Sequence, residues 1–141
     1  MRYIILLALI AVLAQAFIEI KHDDGDDILV ELRKRNNGVI LVLFVIDLKS
    51  DTELAEANYE FEYHLIHKVL YDYPAFKYAR VNALDPAYKN LVKATGLSIS
   101  DLYNSPSILI SEDRDGEWIH GDRTLTLIKR TARVYNERVQ D

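Results

Sequence analysis

Two histidines lie three residues apart in a segment with helical periodicity, and they come closest to a metal-site pattern. His64 and His67 follow Glu60, which stands four residues before His64. Imidazoles at positions i and i+3 share one helix face and can bind one metal ion. A zinc site also needs a third or fourth ligand, and the sequence signals none. We therefore predict no metal site, and we interpret these histidines as solvent-facing or partly buried.

An acidic cluster lies near the other end of the chain. Asp23, Asp24, Asp26 and Asp27 surround Gly25. Such a cluster can attract calcium loosely, but an EF-hand loop needs a longer series of ligands. Aspartates also cap helix N-termini, where they accept hydrogen bonds from unpaired backbone N–H groups. We interpret this cluster as the capped start of a helix.

The composition excludes several classes of chemistry. The 141 residues include 17 Lys and Arg against 22 Asp and Glu, for a formal net charge of −5. This balance argues against nucleic acid as a partner, since nucleic-acid binding needs a clustered basic face. The chain contains no cysteine, which excludes disulfides, thiolate metal sites and cysteine nucleophiles. No motif of a serine hydrolase or a phosphate-binding loop is present, so we predict a non-enzyme without cofactors.

The first 16 residues have the three parts of a secretory signal peptide. A positive charge at Arg2 precedes the apolar run of residues 4–13 and an A-x-A sequence at residues 14–16. The apolar run is shorter than the roughly 20 residues that a bilayer span needs. We predict a signal peptide over residues 1–16 and a domain over residues 17–141. The alternative is that residues 1–16 are retained as a hydrophobic anchor helix.

The rest of the chain predicts strands alternating with helices. Residues 39–46 are eight consecutive apolar residues rich in β-branched types, which is typical of a central strand covered on both faces. Residues 52–72 have helical periodicity. We expect the inward stripe of this long helix to contain Leu54, Ala57, Phe61, Leu65 and Val69.

The C-terminal third predicts a hairpin and a last helix. Residues 113–116, Asp-Arg-Asp-Gly, predict a turn between two short strands, and Asp115-Gly116 is its hairpin signal. The last helix spans residues 124–139, and its predicted inward residues are Leu127, Ile128, Thr131, Val134 and Tyr135. The complete order is β-α-β-α-β-α-β-β-α, which predicts an α/β domain with a mixed central sheet flanked by helices.

Three stretches carry a resemblance to a known family. They are ARVNALD at residues 79–85, LVKATG at residues 91–96 and SPSILI at residues 105–110. The arrangement resembles the thioredoxin-like superfamily, in which a strand ends in an aspartate-containing turn, a short helix ends near a glycine, and a proline precedes an apolar strand. The resemblance covers nearly all of residues 17–139 and implies a single thioredoxin-like domain.

The chain departs from this family where the family's chemistry resides. Thioredoxins and protein disulfide isomerases carry Cys-x-x-Cys after the central strand, whereas this chain has DLKSDTE at residues 47–53. Disulfide exchange needs a reactive thiolate and a resolving thiol. The resemblance therefore implies a redox-inactive member.

The same resemblance implies a cis bond at Ser105–Pro106, because the family's proline is cis and contacts extended peptide. Ligands of α/β sheets favour the carboxyl ends of the parallel strands, and the loop after the central strand ends there. We therefore predict a peptide or partner groove at this edge of the domain. Its candidate residues are Asp47, Leu48, Lys49, Ser50, Asp51, Thr52, Ser105 and Pro106.

Tyrosines of the long helix offer a second candidate surface. Tyr59 and Tyr63 are four residues apart and share a helix face. Phe61 is displaced from Tyr59 by roughly 200° around the helix axis, so it lies on another face. Tyrosine is enriched in protein interfaces. A helix that is apolar on two sides indicates a partner, so this face is the alternative interface.

These observations predict a non-catalytic domain of the secretory pathway, either in the endoplasmic reticulum lumen or secreted, that acts by protein–protein contact. The alternative is a structural accessory subunit of a membrane-associated complex, anchored by residues 1–16. A membrane is a partner only in that second case.

Overall fold

The computed structural model describes residues 17–120 and 124–140. The predicted signal peptide or anchor, residues 1–16, lies outside the described residues. The predicted order of strands and helices is confirmed. The strands are β1 (Ile18–Glu19), β2 (Val39–Val45), β3 (Lys77–Asn82), β4 (Ser107–Glu112) and β5 (Asp115–Ile119), and the α-helices are α1 (Gly25–Arg33), α2 (Thr52–Lys68), α3 (Lys89–Thr95) and α4 (Thr124–Gln140). Short 3-10 helices occupy Leu70–Asp72, Pro86–Tyr88 and Ile99–Tyr103.

The five strands form one mixed sheet in the order β1-β3-β2-β4-β5. Strand β3 runs parallel to β1 and β2, and the β4–β5 hairpin adds antiparallel pairing on the other side of β2. Every residue of β2 is buried, and Leu43 lies between Arg80 of β3 and Ile108 of β4. The prediction of a central strand is therefore confirmed.

Helices cover both faces of the sheet. The side chains of β2 alternate between the two faces, so they contribute to a separate core on each side. Leu41 and Leu43 pack in a core with Leu65 of α2 and Ile128 of α4. On the opposite face, Val42 and Phe44 pack in a second core with Ile28 of α1 and Leu91 of α3. The result is a three-layer α/β/α domain, with α2 and α4 on one side and α1 and α3 on the other.

The aspartate cluster caps α1, as predicted. The Asp24 side chain accepts a hydrogen bond from the Asp27 backbone N–H at 3.0 Å, and the Asp27 side chain accepts one from the Asp23 backbone N–H at 2.9 Å. Two backbone donors at the helix start are thereby paired reciprocally.

Two predicted inward stripes are partly wrong. In α2, Ala57 is exposed and Asn58 is buried instead, because Asn58 lies only about 20° from the buried Leu65 around the helix axis, whereas Ala57 lies about 80° away. In α4, Leu127 and Val134 are exposed. Both lie roughly 100° from the centre of the buried set of this helix. That buried set is Ile128, Thr131, Ala132 and Tyr135.

The hairpin turns at the first two residues of the predicted turn, and the Asp115-Gly116 pair that signalled it lies in β5 instead. Asp113 and Arg114 have positive φ angles of 49° and 68°, which is the backbone pattern of a type I′ turn. Gly116 lies within β5 opposite Ser111. A Cβ atom there would come within 2.7 Å of the Ile110 carbonyl oxygen. This position therefore requires glycine because of the close approach of β4, not because of the turn.

Candidate functional site

The predicted groove residues come together at one edge of the sheet. Residues 46–51 connect the carboxyl end of β2 to α2. The antiparallel register ends at the Phe44–Ser107 pair, so Ser105 and Pro106 lie at the same edge as this loop. The strand register therefore brings these two segments to one edge of the sheet, where the sequence predicts them.

Several loop side chains form hydrogen bonds or apolar contacts within the domain. Asp47 accepts two hydrogen bonds from the Arg80 guanidinium, at 2.9 and 3.1 Å. Asp51 caps α2, because its Oδ1 accepts a hydrogen bond from the Leu54 N–H at 3.0 Å. Leu48 is half-buried against the second core. The groove candidates that face solvent without such a role are Lys49 and Ser50 of the loop and Thr52 at the start of α2.

The proline at this edge differs from the expectation. The described backbone contains no cis peptide bond, so Ser105–Pro106 is trans and the predicted cis bond is wrong. The trans form of such a bond is intrinsically favoured by about 0.5–1 kcal/mol. Pro106 is also buried, and Ser105 is half-buried. The resemblance implied that a cis proline contacts extended peptide, and the structure does not provide that cis bond.

A charged network fixes the loop to the rest of the domain. Besides Asp47, the Arg80 guanidinium contacts Glu62 of α2, with Nε to Oε1 at 3.4 Å. The Tyr78 hydroxyl donates a hydrogen bond to Glu62 at 2.6 Å. In addition, the Asp47 N–H donates to the Asn82 side chain at 3.2 Å. These contacts join β2, β3 and α2 behind the loop.

The electrostatics of this network favour its hydrogen-bonded form. Burial and the negative charge of Glu62 raise the pKa of Tyr78 well above its usual value, so the phenol remains a donor. Burial lowers the pKa of Arg80, but its hydrogen bond with Asp47 and the charges of Asp47 and Glu62 outweigh burial and raise the pKa overall. This network was not predicted from the sequence. Its signal was the alternation of Tyr78, Arg80 and Asn82 along β3.

An aromatic row runs along the solvent side of α2. Tyr59 is 70% exposed and Tyr63 is 48% exposed. The Tyr63 ring stacks on His67 with centroids 4.0 Å apart, and His67 contacts Tyr71 at 4.9 Å. The His67 Nδ1 donates a hydrogen bond to the Tyr63 carbonyl at 2.8 Å. We call Tyr59, Tyr63 and His67 of α2, together with Tyr71 of the following 3-10 helix, the aromatic face of α2. Successive members of this set are four residues apart.

The histidine pair of the sequence analysis forms no metal site in the described part of the chain. No group of three or more His, Asp or Glu side chains in residues 17–120 and 124–140 could hold a metal ion. The His64 Nε2 lies 3.9 Å from the Glu60 Oε1, and the His67 Nδ1 is hydrogen-bonded to the Tyr63 carbonyl. The interpretation of these histidines as solvent-facing or partly buried is consistent with their exposure.

An apolar cleft of about 640 Å³ lies beside the residues that follow β3. Because β3 runs parallel to β2, these residues are at the same edge of the sheet as the predicted groove. The residues that follow β3 and those of α3 form its walls, and Ala83 at its base donates a backbone hydrogen bond to Val45 at 2.9 Å. The cleft was not predicted from the sequence, because its walls come from two segments whose sequences are typical of an ordinary turn and an ordinary helix. Its apolar lining residues are Ala83, Leu84, Pro86, Val92, Leu97 and Ile99.

None of the helices within the described ranges is both long enough and apolar enough to cross a bilayer. A scan against protein-family models and a search of curated proteins found no match.

Solved structures do resemble this chain. It is similar to thioredoxin O2 from Arabidopsis thaliana in the oxidized state, with a TM-score of 0.56 and 15% identity over 86% of this chain and 96% of that one. It is also similar to the thioredoxin of Fasciola hepatica, with a TM-score of 0.52 and 12% identity over 84% of this chain and 99% of that one. The protein therefore has a thioredoxin-like fold, and its lack of cysteine removes the thiols on which thioredoxin redox chemistry depends.

Proposed function

We propose that this chain is a non-enzymatic, redox-inactive domain that binds a protein partner through the aromatic face of α2. The observation that supports this proposal most directly is the exposure of Tyr59 and Tyr63 at 70% and 48%. Tyrosines are enriched among the residues that dominate binding energy at protein interfaces. They contribute a large apolar area together with one hydroxyl group.

The stacking within the aromatic face favours binding further. A side chain that is immobilised at an interface costs about 0.5–1.5 kcal/mol of conformational entropy. The Tyr63 ring already stacks on the ring of His67, one turn further along the helix. The His67 ring is in turn held by its hydrogen bond to the Tyr63 carbonyl. Part of this cost is therefore met before a partner arrives.

The predicted groove at residues 47–52 and 105–106 is the competing surface. Its side chains that face solvent without an intramolecular role are small or flexible, namely Lys49, Ser50 and Thr52. Asp47 and Asp51 are already hydrogen-bonded within the domain. The adjacent apolar cleft can still receive an apolar side chain of a partner, so the groove remains the alternative site.

Site-specific photocrosslinking distinguishes the two surfaces. A benzophenone amino acid replaces Tyr59 in one variant and Ser50 in the other, and both are irradiated in the cells of origin. We expect a covalent adduct of defined mass from position 59. This adduct should disappear when Tyr63→Glu is added, and it should persist with Thr52→Glu, which adds the same charge to the same helix.

The contrary outcomes are equally defined. An adduct from position 50 alone places the interface at the groove and refutes the role of α2. No adduct from either position refutes partner binding at both surfaces. Circular dichroism of each variant checks that the fold is retained.

We also propose that residues 1–16 direct the chain into the secretory pathway and are then removed. The support is the sequence pattern of a positive charge, an apolar run and an A-x-A ending. Mass spectrometry of the native protein provides the test. A mature N-terminus at Phe17 is expected, whereas an N-terminus at Met1 favours the anchored accessory subunit.

A further inference from the structure

A basic cleft lies between the end of α2 and the first half of α4, apart from the surfaces described above. Its volume is about 370 Å³. Four of its lining side chains are cationic, one is an aspartate, and two carry hydroxyl groups. The cations are Lys68, Lys129, Arg130 and Arg133, and the hydroxyl groups belong to Tyr73 and Thr126.

The charge of this cleft is opposite to that of the whole chain. Four positive charges against the single carboxylate of Asp72 give the lining a net charge of +3, whereas the chain carries −5. Four basic side chains outside the cleft lie within 4 Å of carboxylates, namely Lys34, Lys77, Arg80 and Arg138. The four cations of the cleft form no ion pair with any carboxylate in the described residues.

This arrangement has an energetic consequence for α4. Lys129 and Arg133 are four residues apart, and Arg130 and Arg133 are three apart, so these like charges are neighbours on the helix surface. Like charges at such spacings destabilise a helix. A bound anion would relieve this repulsion.

The donor set indicates the chemistry of that anion. Arginine presents a planar fork that matches phosphate in a bidentate manner, and lysine adds a point charge. The hydroxyl groups of Thr126 and Tyr73 provide further donors. The volume is near the low end of small-ligand pockets, which span about 300–1,000 Å³. A compact group of high charge suits this concave site better than a flat membrane surface or an extended acidic segment.

We propose that this cleft binds a phosphate monoester, with Arg130 and Arg133 as its principal ligands. The monoester can belong to a small phosphorylated molecule or to a phosphorylated side chain, since both present the same dianionic group. This proposal concerns a different surface from the aromatic face of α2 and does not depend on the proposed function.

Titrations of the full chain at low ionic strength test the proposal. Isotope-labelled protein is titrated with inorganic phosphate, O-phospho-L-serine and unphosphorylated L-serine while backbone amide shifts are recorded. We expect phosphate and phosphoserine, but not serine, to shift the amides of Thr126, Lys129 and Arg130. A phosphoserine peptide that binds at least about tenfold more tightly than O-phospho-L-serine identifies a protein side chain as the source, and equal affinity identifies a small molecule.

Matched variants locate the site. The double variant Arg130→Gln/Arg133→Gln removes two charges from the cleft. The control Arg33→Gln/Arg35→Gln removes two charges from exposed positions at the end of α1, on the opposite side of the sheet. We expect the cleft variant to weaken phosphoserine binding at least about tenfold and the control to leave it within about twofold.

Four results overturn the proposal. They are an absence of shifts at the cleft, equal weakening by the control pair, equal binding of a glutamate-rich peptide, and binding only to vesicles of phosphatidylglycerol, whose phosphate is a diester. The first result is read on the wild-type chain, so it does not depend on the folding of any variant.

Discussion

We expect the side chain of Asn58 to form the main hydrogen bond between α2 and the end of the central strand. It is 1% exposed, and its Nδ2 donates a hydrogen bond to the Ile46 carbonyl at 2.9 Å. Ile46 is itself fully buried and is followed by the loop of residues 47–51. We predict that Asn58→Ala destabilises the domain by about 2–4 kcal/mol.

Two contributions make up this magnitude. Removing the donor leaves a buried carbonyl without its partner, which costs about 1–3 kcal/mol. Removing three heavy atoms from a buried site leaves a small cavity, which adds about 1 kcal/mol. Asn58→Leu preserves most of the volume but not the donor, so we expect it to retain the first cost only.

Urea unfolding followed by circular dichroism measures these effects by linear extrapolation. Glu56→Ala serves as the control, because Glu56 is exposed on the same helix and its loss should change stability by less than about 0.5 kcal/mol. If Asn58→Leu is as stable as the wild type, the hydrogen bond contributes nothing and the reasoning is wrong. A cost below about 1 kcal/mol for Asn58→Ala refutes it as well.

Three further outcomes are expected. Leu43→Ala should cost about 2–5 kcal/mol in urea unfolding, because Leu43 is fully buried between two strands; a cost under about 1 kcal/mol contradicts its central position. Tyr78→Phe should cost about 1–3 kcal/mol at neutral pH through the lost bond to Glu62. Because the folded pKa of Tyr78 is raised, its contribution is present below the unfolded pKa near 10 and is lost above it, so the deficit of this variant should shrink in alkaline unfolding experiments. Insulin reduction assays should show no activity, since no side chain can form a mixed disulfide; activity that survives removal of contaminating oxidoreductases disproves this.

The sequence was sufficient to predict the fold because its strongest signals are local. The eight apolar residues of 39–46 indicate a strand buried on both faces, and β2 is such a strand. Positive-φ residues and caps end the helices where expected, as at Gly96, whose φ is 72°. The error in the predicted stripe of α2 arose because two positions compete within one helical turn. Ala57 and Asn58 differ by 100° around the axis, and hydropathy favours the alanine although packing selects the asparagine.

The candidate site was less predictable because its properties depend on long-range pairing. Asp47 reads from the sequence as a solvent-facing loop residue, yet Arg80 binds it from 33 positions away. The basic cleft similarly joins Lys68 to Arg133 across two helices. Only the spacing of Tyr59 and Tyr63 signalled an exposed face in advance, since residues four apart on one helix share a face whatever the tertiary structure.

The dependence of binding on ionic strength should distinguish the three surfaces, because one binds through apolar contacts and the other two present charges. The aromatic face presents uncharged rings at Tyr59 and Tyr63, so binding there depends mainly on apolar area. The groove loop presents Lys49, and the basic cleft presents four cations. Their interactions are screened once the Debye length falls from about 8 Å at physiological salt to about 3 Å at 1 M. Partner binding through α2 should therefore persist in 1 M NaCl within about threefold in Kd, whereas phosphoserine binding to the cleft should be lost. If partner binding disappears with the phosphoserine signal, its energy comes from charges and the aromatic face is not the interface.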